Sequence, residues 1–148
     1  MKNQQQKILA LDLGDRWIGT ALSDPLGIIA SPLKTIKTEM LHEFLKEIIS
    51  TEHTNIIVVG YPRTLRGTES EQTKNVVAVV EKLRKTFPEI SWVLWDERLS
   101  SKQAALLKKE KTKEDRLNSH SVAAALILRD YLESLRFAQN TDHDSSDF

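Results

Sequence analysis

No cysteine occurs in the 148 residues, which excludes disulfides, thiolate zinc sites and a Cys nucleophile. Net charge is missing as well, because 21 Lys plus Arg balance 21 Asp plus Glu. The chain is therefore no polycation holding nucleic acid by bulk charge, although a local basic groove stays open. No apolar run approaches the roughly 20 residues of a membrane helix. The opening MKNQQQK carries no apolar stretch of signal-peptide length. A G-x-S-x-G nucleophile elbow is absent, and so is any internal repeat. What remains is 40% apolar and 28% charged residues, an ordinary globular composition on a length suited to one core. A soluble, cytoplasmic, single-domain protein is expected.

Apolar runs and turn residues set the expected elements. Lys7 to Leu13 is too short for a typical helix and reads as a strand buried on both faces. Trp17 to Ser23 reads as a second strand, and Asp24-Pro25-Leu26-Gly27 as a turn. A third strand is expected from Ile28 to about Ile36, with Pro32 marking an edge or a bulge. The three form an antiparallel meander. Met40/Leu41, Phe44/Leu45 and Ile48/Ile49 then recur every four residues, a helical stripe that Thr38 is placed to cap. Asn55 to Gly60 is a fourth strand. Thr68 and Glu71 fit a capping box before a helix striped by Val76, Val79/Val80, Leu83 and Phe87, which Pro88 stops. Ile90 to Trp95 is a fifth strand. Ser100 or Ser101 opens a short helix through Leu107, and Lys108 to Arg116 reads as an exposed charged loop. Asn118 or Ser119 begins a last helix with stripe Val122, Ala125/Leu126, Leu128, Tyr131/Leu132 and Leu135. From Ala138 a polar tail is expected to fray. The order βββαβαβαα means a mixed sheet with helices on its faces, an α/β fold.

Two carboxylates stand out. Asp12 ends a strand that is otherwise Ile, Leu and Ala, where an unpaired carboxylate is costly unless it is hydrogen-bonded or holds a cation. Glu97 falls just past the expected fifth strand. With the first, fourth and fifth strands adjacent and parallel, both acids emerge at one sheet edge, where sites in open sheets collect. Convergent carboxylates repel unless a divalent cation lies between them, and Mg²⁺ or Mn²⁺ prefers oxygen ligands. The alternative is that Asp12 caps the turn at Gly14 and Glu97 pairs with Arg98. Gly14, Gly19 and Ala21 either admit a phosphate backbone near Asp12 or allow tight strand packing. Arg63 and Arg66, after the fourth strand, either clamp phosphates or stand solvated. Ser23-Asp24 reads as turn chemistry. Among the four histidines, His42, His53 and His143 read as surface residues. His120 differs in entering the last helix near its expected cap, where a ligand or proton carrier faces the sheet edge; the alternative is a structural or exposed side chain.

The segments ALDLGDRWIGTALSD (10–24), IIVVGYPRTLRGTES (56–70), LWDERLSSKQA (94–104) and HSVAAALILRDYL (120–132) together resemble the YqgF family, also called RuvX. The likeness runs from about Lys7 to Leu135 with all four blocks in order. A D-x-G strand alone also occurs in sugar kinases and actin-like ATPases; its combination with V-V-G-x-P and D-E-R-L-S-S is specific. Family members carry the names RuvC-like Holliday junction resolvase and pre-16S rRNA nuclease. The resemblance implies an RNase H-like fold over residues 1–137 and a two-metal phosphodiester hydrolase using Mg²⁺ or Mn²⁺. In such sites paired cations about 4 Å apart activate water and stabilise the leaving oxygen. It further implies that Asp12 bridges the metals, that Glu97 binds one, and that Arg63 and Arg98 face phosphates.

One position departs from the pattern. The family's third acid, in D-x-x-A-A on the last helix, is His120 here, before Ser121-Val122-Ala123-Ala124. Imidazole removes a negative charge, which disfavours Mg²⁺ and suits Mn²⁺ better, while leaving a ligand or general acid in place. Asp115 and Asp130 are nearby acids, and neither sits at the family position. The expected partner is structured RNA, with 5′-end processing of pre-16S rRNA as the leading activity. Branched DNA and a non-catalytic nucleic-acid-binding module are the alternatives. A neutral protein gains little from counterion release, which favours a precursor ribosomal particle over naked DNA. A monomer or weak dimer is expected.

Overall fold

The computed structural model describes residues 6–14, 16–62, 71–97 and 113–145, with side chains at 62, 71–73, 97, 113–118 and 140–145 set aside. Five strands form one sheet: β1 (Ile8–Leu13), β2 (Trp17–Ser23), β3 (Ala30–Lys37), β4 (Ile56–Pro62) and β5 (Ser91–Glu97). Their order is β3-β2-β1-β4-β5. The meander β1–β2–β3 is antiparallel, and β1–β4 and β4–β5 are parallel. Among the described residues, three helices flank the sheet: α1 (Leu41–Thr51), α2 (Glu71–Thr86) and α3 (Lys113–Ser145). The expected short helix from Ser100 to Leu107 and the capping Thr68 lie outside the described residues.

Strand alternation divides the core into two layers. Leu9, Leu11, Ile18, Ile57, Val59 and Trp92 pack on one face with Leu41, Phe44, Leu45 and Ile48 of α1 and Val76, Val80 and Leu83 of α2. Ala10, Ala21 and Val58 pack on the other face against Ala124, Ile127, Leu128 and Leu132 of α3. The residues facing α1 and α2 are large, whereas those under α3 are small, so α3 lies close to the sheet. Among the described residues, no helix is long and apolar enough to cross a membrane.

Several elements differ from the reading of periodicity. The first is the α3 stripe, which is rotated. Ser121, Ala124, Ile127, Leu128 and Leu132 are buried, while Val122 and Leu135 are 45% and 37% exposed. Close backbone approach selects small side chains there, and apolar bulk does not report it. The helix also begins at Lys113 and runs to Ser145, taking in part of the charged stretch and of the polar tail. The Lys, Glu and Arg of the charged stretch propagate a helix well once packing has nucleated it. β3 starts at Ala30 because the Ile28 and Ile29 amides are taken by Asp24 Oδ1, at 2.7 Å each. Pro32 sits both on an edge strand and at a bulge, since the register slips between Thr20 and Ala21. Thr38 does not cap α1: it opens a 3₁₀ turn (Thr38–Met40), and its hydroxyl donates to the Gly14 carbonyl at 3.4 Å. Glu97 is the last residue of β5, paired with Pro62, because the parallel ladder extends past Gly60.

Candidate active site

The site begins with the register of β1. Asp12 pairs with Gly19 of β2 on one side and Gly60 of β4 on the other, and Gly60 pairs with Trp95 of β5. Asp12 alternates with Leu11 and Leu13, which places it on the Ala10 face, beneath α3. Position 97 lies two residues beyond Trp95 on β5, so the ends of β1, β4 and β5 share one edge. The parallel neighbours expected from the sequence are therefore present.

Gly19 brings the opposing residue in. A Cβ at Gly19 would fall within the His120 carbonyl and 2.8 Å from the Ser121 nitrogen. The α3 backbone thus rests directly on β2, one strand from Asp12. As a result His120 Nδ1 stands 3.8 Å from Asp12 Oδ2, with the two side chains 35% and 27% exposed. Both are sheltered by the sheet and open to a ligand. Gly14 lies beside them: its Cβ position is 3.8 Å from His120 Cε1 and 2.6 Å from the Trp17 carbonyl. The tight β1–β2 hairpin therefore accounts for a glycine at 14. Helix-on-strand contact, rather than phosphate access or strand packing, accounts for the one at 19.

The structure brings together Asp12, His120 and Gly14. Arg63, Arg66 and Arg98 lie outside the described residues, as does the Glu97 side chain, although its backbone is placed in β5. Among the described residues, no group of three or more His, Asp or Glu could hold a metal ion. The described pair nevertheless fits a divalent cation. Adjacent ligands of an octahedral ion with bonds near 2.1 Å stand about 3 Å apart, so a small rotation of either side chain from 3.8 Å suffices. One carboxylate with one imidazole suits Mn²⁺ better than an all-oxygen set would.

Acids elsewhere have other work. Asp24 accepts the Ile28 and Ile29 amides while Ser23 Oγ accepts from the Ile8 amide at 2.8 Å, so Ser23-Asp24 is turn chemistry. The Ile29 amide, chiefly, holds the Asp24 carboxyl below its ordinary value of 3.8. A depressed carboxyl stabilises the fold fully above the unfolded value and loses this as pH falls through the folded one. The stability gap between wild type and Asp24→Ala is thus expected to be constant near neutrality and to close below about pH 4. Urea denaturation across pH checks this, and a gap that persists unchanged into acid would refute it. Asp130, further along α3, is pushed up by burial, against the effect of Arg129. It pairs with Arg129 at 3.7 Å.

A family profile described as "RuvX: Holliday junction resolvase" matches residues 6–134. The chain belongs to the RuvX family. A RuvX relative from Fusobacterium nucleatum is 40% identical over 134 residues, covering 86% of this chain and 97% of its own. One from Rubrobacter xylanophilus is 37% identical, covering 90% and 96%. Both bear the name "Putative pre-16S rRNA nuclease". RuvX is a nuclease family, and this chain is accordingly a hydrolase acting on ester bonds. Among solved structures, Thermus thermophilus RuvC in complex with a Holliday junction substrate superposes with a TM-score of 0.53 at 15% identity. It covers 88% of this chain and 96% of that one. The RNase H-like α/β fold implied by the sequence resemblance is therefore present in this chain.

Proposed function

We propose that this RuvX chain is a metal-dependent endonuclease for structured RNA that trims the 5′ end of pre-16S rRNA in the cytoplasm. The observation that carries the catalytic part is the Asp12–His120 pair, at 3.8 Å, on the carboxyl edge of parallel strands. The names borne by relatives at 37–40% identity carry the substrate. In this reading Asp12, Glu97 and His120 hold Mg²⁺ or Mn²⁺. A divalent cation held there would supply Lewis-acid polarisation of the phosphate and activation of water. Asp12 supplies the charge that retains the ion, and His120, as a neutral donor, leaves the set one charge short of three carboxylates. Arg63, Arg66 and Arg98 neutralise neighbouring phosphates, and Gly14 adds no side chain in their way.

The test is cleavage of a pre-16S 5′-leader RNA and of a four-way DNA junction, each with Mg²⁺ and with Mn²⁺. Cutting of the RNA alone supports the proposal. Cutting of the junction alone moves the activity to branched DNA. No cutting of either, with no metal bound by calorimetry, leaves a non-catalytic binding module. His120→Asp restores a third acid and is expected to raise the Mg²⁺-to-Mn²⁺ activity ratio by roughly tenfold, from the added oxygen ligand and charge. A well-folded but inactive His120→Asp would instead give the imidazole its own role.

A further inference from the structure

Beyond the catalytic pair, the same edge of the sheet carries an aromatic and two cations that the nuclease reading has not used. Trp17 and Lys37 are direct partners at the open end of the β2–β3 ladder. Their neighbours Ile18 and Ile36 pack into the α1/α2 core, so alternation turns Trp17 and Lys37 to the other face, that of Asp12 and α3. Arg16 adjoins them, its carbonyl accepting the Thr38 amide at 3.0 Å. Arg16 and Lys37 are exposed and Trp17 is half-buried.

The three tryptophans differ in how they are held. Trp92 is buried, with its indole N–H donating to the Phe87 carbonyl at 3.4 Å. Trp95 meets Tyr131 edge to face, centroids 5.7 Å apart. Trp17 has no ring partner or hydrogen bond to its indole among the described residues, and neither Arg16 nor Lys37 has a carboxylate partner among them. The position is close to the site: Gly14 separates the Trp17 carbonyl from the His120 ring. Lys37 lies two strands across and two residues along from Asp12, about 12 Å between Cα atoms at ordinary sheet spacings. A flexible Lys side chain and one or two nucleotides span that distance.

We propose that this hairpin end is a docking subsite for a single-stranded segment flanking the cleaved bond. Trp17 stacks on an unpaired base, and Lys37 with Arg16 takes the adjoining phosphates. An aromatic beside cations, none of them partnered among the described residues, is the combination that holds single strands, because every base has a π face and every linkage a charge. In a chain with no net charge, such local cations supply the attraction that the whole molecule does not. The inference rests on the nuclease reading for its substrate class, but its test needs no catalysis.

The full-length protein is titrated, in EDTA, with a labelled RNA hairpin carrying a short single-stranded 5′ overhang. A second RNA has abasic residues throughout the overhang, and a DNA version of each is run alongside. Trp17→Leu is expected to weaken binding to the intact overhang about tenfold, the usual scale of one lost stack. It should add no further loss on the abasic probe, and Trp17→Phe should retain most of the affinity. Lys37→Gln should reduce the slope of log affinity against log salt by about 0.7, one single-strand phosphate contact. Equal binding of both RNAs by wild type, or a Trp17→Leu loss of the same size on the abasic probe, overturns the subsite. A misfolded Trp17→Leu is recognised by its thermal midpoint, and Trp17→Phe with the abasic probe then decides. Failure of wild type to cleave with metal, alongside the Trp17-dependent overhang preference, sinks the nuclease reading and leaves the subsite standing.

Discussion

Asp12→Asn is expected to abolish metal-dependent cleavage, by about a thousandfold or more, since a catalytic cation contributes several kcal/mol of charge stabilisation. The amide keeps the shape of the carboxylate, and the side chain is 27% exposed, so the fold should tolerate it. Thermal unfolding of the variant is expected within a few degrees of wild type. The decisive comparison is therefore activity against stability: lost cleavage with an unchanged midpoint and weakened metal binding by calorimetry is the predicted outcome. Retained cleavage would remove Asp12 from the chemistry. Collapse of the fold would show that its charge serves β1 rather than a cation.

Gly19→Ala is the second large effect, and it acts through α3. Overpacking by one carbon costs about 1–3 kcal/mol where side chains can move aside. Here the obstacle is the His120 carbonyl and the Ser121 nitrogen, main-chain atoms that no rotamer change relieves. The helix must lift from β2, taking Ala124, Ile127 and Leu128 with it. A loss of about 3 kcal/mol, or roughly 10 °C in midpoint, is expected. Because His120 moves away from Asp12, the residual folded protein should also be about a hundredfold less active, as for any displacement near 1 Å at a reacting centre. Denaturant titration with a cleavage assay at low temperature, where the variant is folded, separates the two losses. A variant as stable and active as wild type would mean that α3 is not seated on Gly19.

These two residues also show what the sequence made legible. Asp12 was readable because a carboxylate closing an apolar run is anomalous by itself, and the runs around 8–13, 56–60 and 91–95 define strands unaided. His120 was readable by its place at the start of a helical pattern and by departure from the family's acid. The face of α3 was legible only in part: Leu128 and Leu132 are buried as expected, but the stripe's edge was misplaced. Periodicity weighs large apolar side chains, and Val122 and Leu135 carried that weight although both are solvent-exposed. The true contact is made where side chains are smallest, at Gly19, Ala21, Ser121 and Ala124. That is a matter of backbone proximity between segments a hundred residues apart, which no local pattern encodes. Nor does periodicity show that Trp17 and Lys37 are neighbours, since the bulge in β3 shifts the count by one.

The seat of α3 on β2 has a mechanical consequence. The helix has 33 residues, about 50 Å at 1.5 Å per residue, whereas β1 has six and spans about 20 Å. The contact that Gly19 permits falls at His120 and Ser121, near one end, so Gly19 is placed as a fulcrum beneath the His120 side chain. A tilt of one degree about that point swings Ser145 by about 0.6 Å over its roughly 37 Å arm, while His120 scarcely moves. Strain applied to the far end of the helix is thereby spent on a long lever, and the spacing between imidazole and carboxylate is the quantity it disturbs least.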